Sequence, residues 1–114
     1  MYKWQIPDGY WKTASNGNYE SHEAICLLNT TDEDADVKMT LFFENSPKMG
    51  GFDVKVAAER TLHVRMDKIK NKDGLPVPSD MPYAVLLESN VNLSVQSTRV
   101  DSSQEALTIA STII

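Results

Sequence analysis

Alternation of apolar and polar residues with a period of two is the feature that most restricts the fold of this chain. In "DVKMTLFFE" the apolar side chains fall at every second position, with mostly polar ones between them. Adjacent side chains of a β-strand point to opposite faces, so this pattern indicates strands with one buried face. The alternating segments lie at residues 36–44, 52–58, 60–66 and 91–97.

Segments rich in Gly, Pro and Asn separate these strands. They are "NSPKMGG", "KNKDGLPVPSDMP" and "ESN", at residues 45–51, 70–82 and 88–90. Several short strands joined by such turns predict an all-β fold, a single antiparallel β-sandwich or jelly roll spanning residues 1–114. The C-terminal "EALTIASTII" fits a strand face or a helical face, and its Thr and Ile content favours a strand.

Two segments are apolar on both faces. They are "AICLL" at Ala24–Leu28 and "YAVLL" at Tyr83–Leu87. Only one face of each sheet in a sandwich meets the core, and the sequence offers no convincing amphipathic helix to cover the other. A second copy of the same chain is the simplest cover. The sequence therefore predicts a homo-oligomer.

The charge balance and the cysteine content restrict the class of protein. The 114 residues include 16 acidic and 11 basic side chains, which gives a net charge of −5. Broad non-specific binding to nucleic acid is disfavoured, because it is driven by cationic side chains that displace counterions from phosphate. Cys26 has no second cysteine with which to form a disulfide. No apolar segment resembles a secretory signal or has the length of a membrane span, so we expect a cytoplasmic protein.

The acidic run after the first doubly apolar segment has part of the spacing of a calcium loop. Asp32, Asp34 and Asp36 occupy the first, third and fifth positions of an EF-hand loop. Val37 stands where that loop needs Gly, and Phe43 where it needs a bidentate Glu. We therefore predict a solvated hairpin turn and no metal site. The sequence also lacks the motifs of common nucleophilic, nucleotide-binding and metal-dependent enzymes, which predicts a non-enzymatic protein without a cofactor.

Polar side chains are most concentrated in "QSTRVDSSQ", residues 96–104. The strand alternation places Arg99 and Asp101 on the core-facing side, as a structural ion pair or as ligand-binding groups. His22 and Glu23 are adjacent, so on a strand they face opposite ways and cannot easily act together. His22 fits a ligand-binding role or a hydrogen-bonded histidine at the entrance of a strand.

Aromatic residues are frequent in the first twenty positions, beside the amide-rich "SNGN". They include Trp4, Tyr10, Trp11 and Tyr19. Such a group could hold a sugar or another flat polar molecule, or could pack over the mouth of the sandwich. The sequence leaves both alternatives open.

Three blocks carry a resemblance to a known family. "SHEAICLLNTTDEDADVKMT", "HVR" and "SNVNLSVQSTRVDSSQEAL" resemble the sensory rhodopsin transducer family from about Ser21 to the C-terminus. The resemblance implies a small cytoplasmic β-sandwich of jelly-roll type that assembles as a homotetramer. It also implies an association with the cytoplasmic face of a membrane photoreceptor, a fold like that of carbohydrate-binding domains, and a link to transcription regulation. The acidic net charge would favour binding to the Lys- and Arg-rich cytoplasmic loops of a membrane protein.

These observations predict a non-enzymatic signalling module that binds a small polar molecule such as a sugar. Trp11 would stack on the ligand, and the other side chains would form hydrogen bonds or ion pairs. The predicted ligand-binding residues, chosen by polarity and by the family blocks, are Trp11, His22, Glu23, His63, Arg65, Arg99, Asp101 and Gln104. One alternative is a DNA-associated transcriptional co-regulator that uses Lys68, Lys70 and Lys72. Another is a sugar-acting enzyme in which Glu23 faces a second carboxylate.

Overall fold

The computed structural model describes residues 1–13, 15, 21–102 and 108–114, and every regular element in these ranges is a β-strand. The strands are β1 (Tyr2–Gly9), β2 (His22–Asn29), β3 (Ala35–Phe42), β4 (Met49–Val56), β5 (Arg60–Arg65), β6 (Tyr83–Ser89), β7 (Ser94–Asp101) and β8 (Thr108–Ile113). Within the described ranges, no helix has the length and apolar character that crossing a membrane requires.

The strands form two antiparallel sheets of four strands each. The first sheet has the order β1-β6-β3-β4, and the second has the order β5-β2-β7-β8. Buried apolar side chains from both sheets form one cluster, with Met39, Leu41 and Phe52 from the first sheet and Ile25 and Leu27 from the second. The predicted all-β sandwich is confirmed, whereas the jelly-roll connectivity stays a prediction.

The period of two is the physical reason for this packing. Along β3, Val37, Met39 and Leu41 are buried while Lys38 and Phe42 are exposed. Burial of each such aliphatic side chain contributes about 1.5–3 kcal/mol relative to leaving it in water. The same alternation holds along β4 and β5, so the strands predicted at residues 36–44, 52–58 and 60–66 are confirmed with small changes at their ends.

The structure differs from the sequence-based expectation in one additional strand and in the first residues of two others. β1 was not predicted, because only Trp4 and Ile6 mark its inward face before Pro7 interrupts the pattern. β4 begins at Met49, inside the predicted turn, where Gly51 adopts a φ of 83° that favours glycine. β7 begins only at Ser94, although the residues predicted to start this strand are largely buried in front of it.

The acidic run does not form the predicted hairpin turn, so that prediction is wrong. β2 belongs to the second sheet and β3 to the first, and the loop between them crosses from one sheet to the other. Asn29 organises this crossing, because its side-chain amide donates to the carbonyl oxygens of Glu33 (2.7 Å) and Val56 (3.1 Å). The hairpin expectation failed because alternation identifies strands without identifying their partners.

Both doubly apolar segments are central strands, β2 and β6. Their inward side chains belong to the core, while their outward side chains range from buried to exposed. Ala24 is 9% exposed, Leu28 is 43% exposed, and Leu86 is intermediate. The C-terminal segment is also a strand over Thr108–Ile113, as predicted, and residues 105–107 of that prediction lie outside the described residues.

Candidate functional site

An open cleft lies between the two sheets on the side where β1 and β8 are the edge strands. Its volume is about 240 Å³. Ile6 and Pro7 of β1 form one apolar wall, and Ala110 of β8 contributes to the opposite wall. The polar groups that line the cleft are Asp8, Glu23, Ser97, Arg99 and Thr112. The sandwich therefore encloses an apolar core but is polar and accessible along this side.

Glu23 lies at the floor of the cleft and is only 2% exposed. Its Oε2 accepts hydrogen bonds from the backbone N–H of Tyr10 (3.1 Å) and from Nε of Arg99 (3.2 Å). The hydroxyl of Tyr83 donates to Oε1. A buried carboxylate needs such partners, because an unpaired charge in the interior is strongly unfavourable. Both oxygens of this carboxyl group are thus bound within the protein.

The ionisation of the cleft floor is set by burial. Burial raises the pKa of Glu23 above its usual value, although the hydrogen bonds from Tyr83 and Tyr10 and the charge of Arg99 all act to lower it. Burial and the neighbouring Glu23 carboxylate raise the pKa of Tyr83, so this hydroxyl remains protonated and able to donate.

Arg99 connects the buried floor to the solvent. Its Nε edge is held by Glu23, whereas Nη2 lies 3.5 Å from Oδ1 of Asp8. The Asp8 side chain is 76% exposed, and an ion pair of this kind is weak in water. One edge of the guanidinium is therefore fixed, and the other faces the cleft with a partner that a ligand can displace.

Strand register brings these residues together. Glu23 of β2 lies directly opposite Arg99 of β7, and Tyr83 begins β6 in the other sheet. The Tyr83 ring lies against the end of β1, where a Cβ on Gly9 would come within 2.4 Å of the ring. Only glycine allows this approach, which aims the Tyr83 hydroxyl at Glu23. Tyr10 follows directly and supplies the backbone donor.

The long loop after β5 holds this part of the chain in place. Trp11 Nε1 donates to the carbonyl oxygen of Val77 (3.3 Å), and the backbone N–H of Asp80 donates to the carbonyl oxygen of Trp11 (2.8 Å). The Asp80 carboxylate accepts from the hydroxyl of Thr13 (2.8 Å). Val77 is 1% exposed, so the loop is anchored in the domain at this residue. It thereby fixes the position of the Tyr10 donor.

A smaller recess of about 80 Å³ adjoins the cleft. Tyr10, Trp11 and Arg99 line it, and Lys12 Nζ lies 3.5 Å from Oδ2 of Asp101 at its side. Arg99 borders both spaces, so a ligand in the cleft and a group in the recess could contact the same guanidinium. Among the residues that the structure describes, no group of three or more His, Cys, Asp or Glu side chains is arranged to hold a metal ion.

Comparison with known proteins identifies the family. The model of the Anabaena sensory rhodopsin transducer family matches residues 1–114. The chain belongs to this family. The resemblance inferred from the sequence is confirmed, and the chain is a member of a signalling-module family.

Two solved structures of similar proteins support the assignment. The crystal structure of Thermotoga maritima 1070 matches with a TM-score of 0.87 and 36% identity, over 97% of this chain and 90% of that one. The Anabaena sensory rhodopsin transducer matches with a TM-score of 0.76 and 39% identity, over 90% of each chain. No curated protein matches this family member.

The predicted ligand-binding residues of this family member are divided between several places. Glu23 and Arg99 meet at the floor of the cleft, and Trp11 and Asp101 border the adjoining recess. His22, His63 and Arg65 lie on the outward face of the second sheet, because their positions alternate with the inward Glu23 and Val64. Arg65 forms a bidentate ion pair with Asp67 there, at 2.7 and 2.8 Å. Gln104 lies outside the described residues.

Sequence reasoning missed three parts of the site. Tyr83 was assigned to an apolar strand, and its hydroxyl could have been suspected because a buried Tyr usually finds a polar partner. Tyr10 contributes its backbone N–H, which no side-chain pattern reveals. Asp8 follows Pro7 at the end of the unpredicted strand β1, and no local signal distinguishes it from other surface acids.

Proposed function

We propose that this protein is a non-enzymatic cytoplasmic signalling module whose cleft binds a small polar molecule such as a sugar. The observation that carries the proposal is the ion pair between the buried Glu23 and the part-exposed Arg99 at the floor of an open cleft. Small-molecule sites are typically concave and largely apolar, with a few convergent polar groups. This cleft is concave and combines the apolar wall of Ile6 and Pro7 with convergent polar groups, although polar residues make up a larger part of its lining.

The arrangement of donors and acceptors favours a ligand rich in hydroxyl groups. Arg99 offers Nη donors, Asp8 offers an exposed carboxylate, and Ser97 and Thr112 offer hydroxyls, all along one cleft. A sugar alternates hydroxyl groups with apolar C–H faces, so it can use the polar floor and the Ile6 wall together. Arg99 is the residue whose loss should weaken binding most.

The same geometry argues against catalysis by Glu23. Its Oε1 accepts from Tyr83, and its Oε2 accepts from Tyr10 and Arg99. A general base or nucleophile must present a free oxygen to the substrate. Glu23 is therefore better suited to holding Arg99 in position than to attacking a bound molecule.

The loop after β5, which would form the DNA-binding surface in the alternative function, gives that function little support. Lys68, Lys70 and Lys72 are exposed, but Asp67 precedes them and Asp73 follows them directly. Affinity for DNA depends on cationic side chains that release counterions, and the flanking acids reduce the local positive charge. The alternative stays a prediction without a supporting contact.

We further propose that the module relays its state to a membrane photoreceptor and acts as a homotetramer of jelly-roll subunits. A similar protein of solved structure is named the Anabaena sensory rhodopsin transducer. The net charge of −5 favours the basic cytoplasmic side of a membrane receptor. Exposed apolar side chains support self-association, among them Leu28 at 43% and Phe42 at 41%.

Calorimetric titration with a panel of monosaccharides and polyols tests the ligand-binding role. We expect at least one to bind the wild-type protein, and Arg99→Ala to weaken that binding at least tenfold while leaving the oligomer intact. Arg60→Ala is the matched control, because Arg60 is exposed and its side chain donates to carbonyl oxygens of its own turn. Equal affinity of Arg99→Ala and wild type would refute the site. Loss of assembly in Arg99→Ala would make the residue structural.

A further inference from the structure

The guanidinium of Arg99 has more hydrogen-bond donors than its neighbours accept. A guanidinium carries N–H donors on both of its edges, all in one plane. Among the described residues, Arg99 forms one hydrogen bond, from Nε to Oε2 of Glu23. Its Nη2 lies 3.5 Å from Oδ1 of Asp8, whereas charge-assisted N–H···O bonds measure about 2.7–2.9 Å. The Nη edge therefore borders the cleft with donors that the described part of the chain leaves available to a ligand.

Asp8 can leave this edge at little cost. Its side chain is 76% exposed, and an exposed ion pair contributes little to stability. The register of β1 with β6 also shifts between Ile6 and Gly9, so Asp8 has no partner residue in β6. A movement of Asp8 away from Arg99 therefore breaks no strand pairing and returns a carboxylate to water.

We propose that the cleft binds a sugar acid, a monosaccharide that carries a carboxylate, and that this carboxylate replaces Asp8 on the Nη edge of Arg99. The inference rests on the sugar-binding role proposed above and specifies the chemical class of the ligand. A carboxylate matches the fork of a guanidinium, because its two oxygens accept from two parallel N–H donors. The position of Asp8 shows that a carboxylate reaches this place.

The exchange leaves the charge beside Arg99 unchanged. Glu23 and Asp8 are the carboxylates that lie next to the guanidinium, and the ligand replaces Asp8 one for one. A phosphorylated sugar would bring a second negative charge close to the buried Glu23, where charges interact more strongly than in water. A singly charged carboxylate is therefore the anion that fits the site.

The rest of the lining fits the body of a sugar. Ser97 and Arg99 are two positions apart on β7, so their side chains point to the same face at a spacing of about 6.5 Å along the strand. A ligand bound through its carboxylate to Arg99 can bring a hydroxyl to Ser97. Thr112 supplies another hydroxyl and Ile6 an apolar surface for the ring. The guanidinium thus fixes one end of the ligand, and the cleft wall holds the remainder.

Calorimetric titration with matched ligands tests the chemical class. Glucose, galactose and mannose are each compared with the corresponding hexuronic acid and with its methyl ester, which keeps the shape and removes the charge. We expect at least one hexuronate to bind about tenfold or more tightly than its hexose and its ester, because charge-assisted hydrogen bonds are roughly twice as strong as neutral ones. Equal affinities within every set would overturn the carboxylate and leave the sugar-binding role intact. Tighter binding of the hexose 6-phosphate would assign the anion to phosphate instead, and no binding by any of these ligands would overturn both proposals.

The variant Asp8→Asn tests the displacement. It removes the competing carboxylate and keeps an acceptor oxygen, so the hexuronate should bind more tightly than to wild type while the affinity for the hexose changes little. Asp53→Asn is the matched control, because it makes the same charge change at an exposed site on β4, the opposite edge of the first sheet from β1. An equal gain in both variants would reduce the effect to net charge and overturn the displacement. Unchanged or weaker hexuronate binding in Asp8→Asn would also overturn it, since Asp8 would then not compete for Arg99.

Discussion

Each end of β2 has a buried polar residue on the same inward face, and the two residues differ in the groups that form hydrogen bonds with them. Asn29 is 0% exposed, and backbone carbonyl oxygens accept from its amide nitrogen. Its side-chain oxygen accepts from the N–H and the hydroxyl of Thr31 (3.0 and 2.7 Å). The Asn29 end is closed, and its polar groups are satisfied mainly by the backbone of neighbouring loops.

The Glu23 end is open, and its polar groups are satisfied mainly by side chains. Tyr83 and Arg99 come from two different strands, and Arg99 continues into the solvent-accessible cleft. A neutral amide bonded to backbone has no alternative partner to exchange. A charged carboxylate bonded to a half-exposed arginine can respond to what binds that arginine. The comparison separates a polar residue that stabilises a loop from one that supports a site.

The largest expected effect on stability comes from removing the Asn29 side chain at the closed end of β2. Asn29→Ala would remove the side-chain donor to the buried carbonyl oxygen of Val56, one of two donors to the carbonyl oxygen of Glu33, and the acceptor of the Thr31 N–H and hydroxyl. A buried group left without its hydrogen bond costs roughly 1–3 kcal/mol. We expect the free energy of unfolding, measured by urea denaturation, to fall by about 3–4 kcal/mol. Asn92→Ala, at an exposed position, should change it by less than about 0.5 kcal/mol. A loss below about 1 kcal/mol for Asn29→Ala would mean that the two ends do not differ as described.

A smaller loss is expected when the open end loses one neutral donor. Tyr83→Phe keeps the ring against Gly9 and removes the hydroxyl that donates to Glu23. A hydrogen bond to a charged group contributes about 1.5–3 kcal/mol, so we expect urea denaturation to report a loss of about 2 kcal/mol. Tyr2→Phe is the control, since Tyr2 is 48% exposed. A change in Tyr83→Phe no larger than in the control would show that the hydroxyl is not needed at the cleft floor.

The pH dependence of stability should also distinguish the two ends. The pKa of Glu23 is higher in the folded protein than in the unfolded chain, so the folded state binds the proton more tightly. The resulting stabilisation is fully present below the unfolded pKa near 4.5 and is lost as the pH rises through the raised value. One such group changes the free energy of unfolding by at most about 1.4 kcal/mol per pH unit.

Denaturation of Glu23→Gln and wild type across this pH range measures the effect. The difference between the two free energies should change with pH above about 4.5, with the wild type losing stability as pH rises relative to the variant. Glu33→Gln makes the same charge change at an exposed site and is the matched control. Parallel curves for Glu23→Gln would show that its carboxyl group has the same proton affinity folded and unfolded.

The sequence was sufficient to predict the strands that are marked by a local alternation of apolar and polar residues. β3, β4 and β5 were recognised because each places aliphatic residues at every second position and polar residues between them. Which strands pair is a non-local property, so the crossing after Asn29 was mistaken for a hairpin. β1 was missed because its inward face has only Trp4 and Ile6 before Pro7.

The candidate site was only partly predictable for the same reason. Arg99 was correctly assigned to the inward face by extending the alternation from Val95, and Glu23 was assigned to the face opposite His22. The register that joins Glu23 to Arg99 depends on pairing between strands that are distant in sequence. His63 and Arg65 were chosen from a family block, yet alternation already placed them opposite the inward Val64.

The smallest effect on stability should come from the cleft lining itself. Ser97 is partly exposed and lines the cleft beside Arg99, so Ser97→Ala should change the free energy of unfolding by less than about 0.5 kcal/mol. It should nevertheless weaken binding of the sugar or polyol found by titration, because one hydroxyl contact is lost. Ser94→Ala, on the outward face of the same strand, should change neither quantity. If Ser97→Ala instead cost more than about 1 kcal/mol of stability and left affinity unchanged, the cleft would be a structural feature like the Asn29 end.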